Sequence, residues 1–153
     1  MSPREQEEVG AGALADLGMR GLERRFEALN PPEPDQPVGA LSGRIVAAVA
    51  LDPLPAPLRR AALDLVAGLS PWRGKHFGAG RGSNRWGPLD LRRVHFRAAL
   101  DERAGALVMD YDVDENPSIF KGMRGDLRCL GPGLYLGRMS WAGAAVLFFT
   151  LEA

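Results

Sequence analysis

The sequence has a single cysteine, Cys129, and only two histidines, His76 and His95, in 153 residues. One thiol excludes an intrachain disulfide and a cysteine-built zinc cage. It suits a reducing, cytoplasmic compartment in which Cys129 is a small buried hydrophobe. Two histidines are too few for a typical catalytic zinc site without carboxylate help, and no serine stands in a nucleophile-elbow context. The expectation is a protein with no metal and no cofactor. Net charge is also missing: 19 Lys and Arg balance 19 Asp and Glu, so no global field draws nucleic acid or an anionic membrane. The longest apolar runs, 45–51 and 142–151, are too short to span a bilayer. The polar, acidic start, Met1 to Glu8, lacks the basic-then-apolar order of a secretory signal.

What is present is an ordinary globular composition, 46% hydrophobic and 25% charged, at a length that can bury about two thirds of the unfolded surface without staples. Residues 1–11 read as a frayed start. Leu14, Leu17, Leu22, Phe26 and Leu29 then recur at helical spacing to about Asn30, with Gly18 and Gly21 weakening the helix so that docking must hold it. Four prolines within 31–37 make a stiff connector. The chain thus divides into residues 1–37, an N-terminal helix with its proline-rich connector, and residues 38–153, a single β-rich domain. Within the latter, 41–51 reads as a strand, and Pro57 opens a helix over 57–69 whose apolar stripe is Leu58, Ala62, Leu65 and Leu69.

From Trp72 onward, glycine-containing turns separate short runs of β-branched and aromatic residues. Val94, Phe96, Ala98 and Leu100 alternate with Arg93, His95, Arg97 and Ala99, and Leu107, Met109 and Tyr111 alternate with Val108, Asp110 and Asp112. Further strands are expected near 118–123 and 126–130, and a hairpin pairs 134–141 with 144–151 across Ala142-Gly143. Five or six antiparallel strands in meander order must close into a barrel or cover their edges. The fold class is therefore α+β, mainly β, with the first helix either plugging the barrel or swapping into a partner, which leaves a homodimer open.

Several segments have the residue types of a site. Residues 73–97 carry Arg73, Lys75, Arg81, Arg85, Arg92, Arg93 and Arg97 against one acid, Asp90. With Trp72, Phe77 and Trp86 this is the composition of a single-strand nucleic-acid surface. The acidic run 101–115 offers the ordinary alternative, cross-strand ion pairing, and makes nucleic acid an unfavoured partner. Gly78 to Asn84 reads as a mobile glycine-rich loop without the closing Lys-Ser/Thr of a phosphate loop. Asp110 to Glu115 is acidic, yet counted from Asp110 it has Glu115 and Lys121 where a calcium loop needs Gly and Glu. His76 and Asp110 are candidates for an acid-base pair in a hydrolase or isomerase.

Gly39-Ala-Leu41-Ser-Gly43 and Trp72-Arg73-Gly74-Lys75-His76-Phe77 are followed in order by Tyr111-Asp112, Pro117, Met123-Arg124, Leu136-Gly137-Arg138-Met139 and Phe149-Thr150-Leu151-Glu152. From Gly39 to the end these segments resemble an uncharacterised bacterial family that pairs a Gly-x-Trp-x-Gly region with a C-terminal domain of unknown function. Leu41, Arg73 and Lys121 depart from that family, which has tryptophan, an aromatic residue and aspartate there. The resemblance implies a calycin-like β-barrel that encloses a hydrophobic or lipid-like molecule. A haem would need a late-strand histidine, and none follows His95. On this reading Trp72, Phe77 and Tyr111 are aromatics of the cavity or its rim, and Lys75, Arg124 and Arg138 anchor a carboxylate or phosphate head. Core packing or surface ion pairing remains the alternative for each.

Overall fold

In the computed structural model, which describes Gly10 and residues 12–153, eight antiparallel strands close into a barrel in strict sequence order. They are β1 (Gly39–Ala48), β2 (Trp72–Phe77), β3 (Arg81–Trp86), β4 (Leu91–Asp101), β5 (Ala106–Asp110), β6 (Met123–Gly131), β7 (Leu134–Trp141) and β8 (Ala144–Glu152). Closure comes from β1, whose first residues pair with β2 and whose remainder pairs with β8, for example Leu41 with Lys75 and Gly43 with Leu151. Closing the sheet leaves no unpaired edge, which resolves the hazard of an open meander.

Period-two alternation sorts the side chains. Leu41, Phe77, Phe96, Leu107, Met109, Tyr111, Leu127, Tyr135, Met139, Phe149 and Leu151 form one core cluster inside the barrel. Each large apolar side chain there contributes about 1.5–3 kcal/mol by burial. Room for the rings comes from inward-facing glycines. A Cβ at Gly43 would run into the Trp72 ring, one at Gly82 into Phe96, and one at Gly137 into Phe149.

A second cluster lies on the outer surface. Helix α1 (Gly18–Glu27) buries Leu22 and Phe26 against Val46, Ala47, Leu136 and Phe148, side chains of β1, β7 and β8 that face away from the interior. Phe26 meets Phe148 edge to face at 6.3 Å. The first helix is thus no plug: it packs against the outside of the barrel. The helix is shorter than its apolar spacing predicts, because residues 16–17 form a turn and Leu17 faces outward. A carboxylate remote in sequence finishes its start, with Asp52 Oδ1 accepting from the Met19 N–H at 2.8 Å. The frayed start expected for residues 1–9 and 11 lies outside the described residues.

Helix α2 (Ala56–Leu69) stands where it is expected, but turned. Leu58, Leu65 and Leu69 are exposed, and the buried positions are Arg59 and Leu63. The Arg59 guanidinium sets this rotation by donating to the carbonyls of Ala15, Leu54 and Asp16. Two local expectations also change. Residues 81–84 of the supposed loop belong to strand β3, whose Gly82 and Asn84 turn into the barrel, and residues 118–120 are a 3-10 turn instead of a strand.

Candidate functional site

Lys75 lies midway along β2 with its neighbour Leu41 of β1 in register, so alternation points its side chain into the barrel, and only 1% of the residue is exposed. A register shift between Trp72 and Gly74 breaks the alternation and lets Trp72 and Lys75 both turn inward. Lys75 Nζ donates to Asn84 Oδ1 at 2.6 Å and lies 2.5 Å from Tyr111 Oη. The same Asn84 oxygen accepts from Trp72 Nε1 at 3.2 Å. Around the amine stand four rings: Phe96, Tyr111 and Phe149 with centres 5.2 Å away, and Trp72 at 5.9 Å.

The electrostatics follow from burial. Both hydrogen-bonding partners of Lys75 are uncharged, and no ion pair among the described residues involves it. Removal from water pushes its pKa down to about 7 from an ordinary value near 10.5. The same desolvation drives the Tyr111 hydroxyl up, so it keeps its proton. Facing π-electrons offset part of the cost of the ammonium form. In the neutral form the Tyr111 O–H donates to Nζ, so either protonation state satisfies the pair.

A strained strand supports this centre. Val94, packed against the core from β4, has φ of 61°, a conformation that β-branched residues rarely adopt. It sits where the β3–β4 register shifts between Ser83 and Asn84. Asn116 pins the distorted segment: its Oδ1 accepts from the His95 N–H, and its Nδ2 donates to the carbonyls of His95 and Tyr111. One buried amide therefore ties the β4 bulge to the backbone that carries Tyr111.

The structure brings together four of the eight residues singled out from sequence. Trp72, Lys75 and Tyr111 meet as described, and Phe77 packs on Phe96, which in turn packs on Tyr111. The other four stand on the outer face, because each is one residue out of phase with the inward set. Arg124 and Arg138 are no part of this interior. They converge on Asp126, at 3.0 and 3.3 Å, and Arg138 also pairs with Glu23 of α1 and lies over the Phe26 ring. Arg138 thereby fastens α1 to the barrel wall, whereas among the described residues Arg124 reaches only Asp126 on its own strand.

His76 and Asp110 are not brought together. His76 lines an outer groove with Ser83, His95 and Glu115, whereas Asp110 pairs with Arg97 at 2.9 Å beside a different groove. The His76 pKa is lowered, first by desolvation and then by Arg92 and Arg85. The basic run is mostly spent in pairs, Arg81 with Glu115, Arg85 and Arg92 with Asp90, and Arg97 with Asp110, while Lys75 is inside. Among the described residues no group of three or more His, Cys, Asp or Glu is placed to hold a metal ion. No helix among them is long and apolar enough to cross a membrane.

Asn116 had no claim on attention in the sequence, and Asn84 and Val94 were named there only as the end of a loop and as an apolar strand residue. Asn84 closes a glycine-rich stretch that resembles a loop. The one available signal was that Gly82, Asn84 and Trp86 keep a period of two with one another.

No family model matches the chain, and no curated protein matches it. Among solved structures, the crystal structure of a protein from Thermomonospora curvata superimposes with a TM-score of 0.59 over 97% of each chain at 18% identity. That likeness establishes the eight-stranded barrel with its helices as a fold shared with another protein.

Proposed function

We propose that this barrel binds a small, largely apolar molecule inside its wall and reads the molecule's polar end with Lys75, Tyr111 and Asn84. The observation that carries the reading is the buried amine itself. A lysine inside an apolar barrel, hydrogen-bonded to neutral partners only, opposes folding, and a hydrophobe of similar length would pack there at no such cost. Groups that oppose stability in this way concentrate at binding and catalytic sites. The calycin likeness belongs to the same proposal: eight strands in meander order are the count and order of up-and-down ligand carriers.

An eight-stranded barrel is wide enough to be filled by side chains or to hold one small ligand. Here the amine is enclosed by rings, so a guest must displace some of them. Apart from Ala98, the partly buried residues of the interior are Trp72, Val94, Met123, Val146 and Leu147. They belong to the end of the barrel that carries the β3–β4, β5–β6 and β7–β8 connections. Entry through this end brings a guest past Trp72 to Lys75, with the aromatic rings as its apolar wall and the amine as hydrogen-bond donor to a carbonyl, carboxylate or phosphate oxygen.

A variant that keeps Trp72 as its only tryptophan (Trp86→Phe, Trp141→Phe) tests this. Titration with benzyl alcohol, benzoate and hexanoate is expected to change Trp72 fluorescence saturably, and native mass spectrometry is expected to show one guest per chain. Flat titrations with no adduct overturn the reading.

A further inference from the structure

We propose that Lys75 is a nucleophile toward carbonyl compounds, and that the barrel captures small apolar aldehydes or ketones as an imine on Nζ. The proposal rests on the reading that guests enter this interior, and it names their chemical class. Its ground is the arrangement of three groups at one buried point. The amine carries the nucleophilic lone pair, a hydroxyl lies 2.5 Å from it, and an amide oxygen 2.6 Å away holds one of its N–H bonds. The rings of Trp72, Phe96 and Phe149 wall off water around them.

Imine formation needs each of these parts. The nitrogen must be unprotonated to attack, and burial without a carboxylate partner favours that form near neutral pH. Nζ adds to the carbonyl carbon while the π-pair moves to oxygen, and Tyr111 O–H, held protonated by its surroundings, donates to that oxygen. The nitrogen then returns a proton to the Tyr111 oxygen, leaving a neutral carbinolamine. Its C–O bond breaks with a second proton from Tyr111, the nitrogen lone pair forms the C=N bond, and the proton left on nitrogen restores Tyr111. Amine and carbonyl thus give imine and one water, with no change of oxidation state. Exclusion of bulk water slows hydrolysis back to the free amine.

The sequence supplies its own control, because Lys75 and Lys121 are its only lysines. Lys121 lies outside the barrel interior, at the end of the 3-10 turn 118–120. A carboxylate-reading site would use an arginine as readily, and arginine cannot form an imine.

The test is reductive trapping of the full chain with benzaldehyde and cyanoborohydride at pH 7, read by intact mass and peptide mapping. The expected result is one benzyl group on Lys75, retained in Lys121→Met and lost in Lys75→Met. Tyr111→Phe, which keeps the amine, is expected to slow labelling about a hundred-fold, the lower end of the range for loss of a general acid. Saturable Trp72 fluorescence with benzaldehyde but no label on Lys75 overturns the imine and leaves non-covalent binding standing. Labelling confined to Lys121 or the chain's amino terminus also overturns it. Absence of both fluorescence change and label removes the binding reading as well.

Discussion

Lys75 Nζ and Tyr111 Oη lie 2.5 Å apart inside a closed barrel, each almost fully withdrawn from solvent and 36 residues apart in sequence. The pair joins β2 to the end of β5 across the interior, and no charge balances the amine. Burial lowers the basicity of the lysine and the acidity of the tyrosine together, so one donor and one acceptor persist over a wide pH range.

The depressed Lys75 pKa makes stability pH-dependent in a defined window. Between about 7 and 10.5 the unfolded chain holds a proton on this amine that the folded chain does not. Unfolding then takes up a proton, and stability rises with pH across that window. Urea unfolding at pH 7 and pH 9 should show the natural chain gaining about 2 kcal/mol relative to Lys75→Met. Equal shifts in both proteins would contradict this.

Asn116 carries the β4 bulge and the Tyr111 backbone on three hydrogen bonds. Asn116→Ala leaves the His95 N–H and two carbonyls without that partner, and a loss of about 2–3 kcal/mol is expected by chemical denaturation. A loss under about 0.5 kcal/mol, the size of an ordinary surface change, would show that water replaces the amide.

The β7–β8 hairpin turns through Ala142 at φ 50° and Gly143 at φ 82°. Both central residues are left-handed, as a type I′ turn requires, and asparagine tolerates that better than alanine. Ala142→Asn should raise stability by about 0.5–1 kcal/mol, checked by the urea midpoint. Ala142→Val should lower it.

Gly137 faces the ring of Phe149, which leaves no space for a Cβ. Gly137→Ala should cost about 1–3 kcal/mol by overpacking. Combined with Phe149→Leu, the penalty should shrink below the sum of the single changes, a coupling that a double-mutant cycle measures.

Much of the fold was legible because alternation reports facing directly. Val94, Phe96, Ala98, Leu100, Leu107, Met109 and Tyr111 were identified as apolar faces of two strands, and all but Leu100, which is exposed at the end of β4, belong to the barrel interior. Strand β3 was missed because glycine, serine and asparagine have turn chemistry, and only pairing with β2 and β4 makes Arg81–Trp86 a strand. Helix α2 was legible as a helix but not in its rotation, since a buried guanidinium caught by three carbonyls outweighs the leucine stripe. Of the candidate site, Trp72, Lys75, Phe77 and Tyr111 were legible from motif order, while Arg124 and Arg138 were misassigned to it.

By itself the sequence determined the class of the molecule: its hydrophobic period, glycine-marked turns and proline connector specify a β-meander with two helices. These are local properties, carried by backbone propensity and by which residues alternate. Only the tertiary structure decided that β1 closes on β8, that the first helix packs outside, and that Lys75 meets Asn84 and Tyr111. Those depend on contacts between residues far apart along the chain, which local patterning cannot encode.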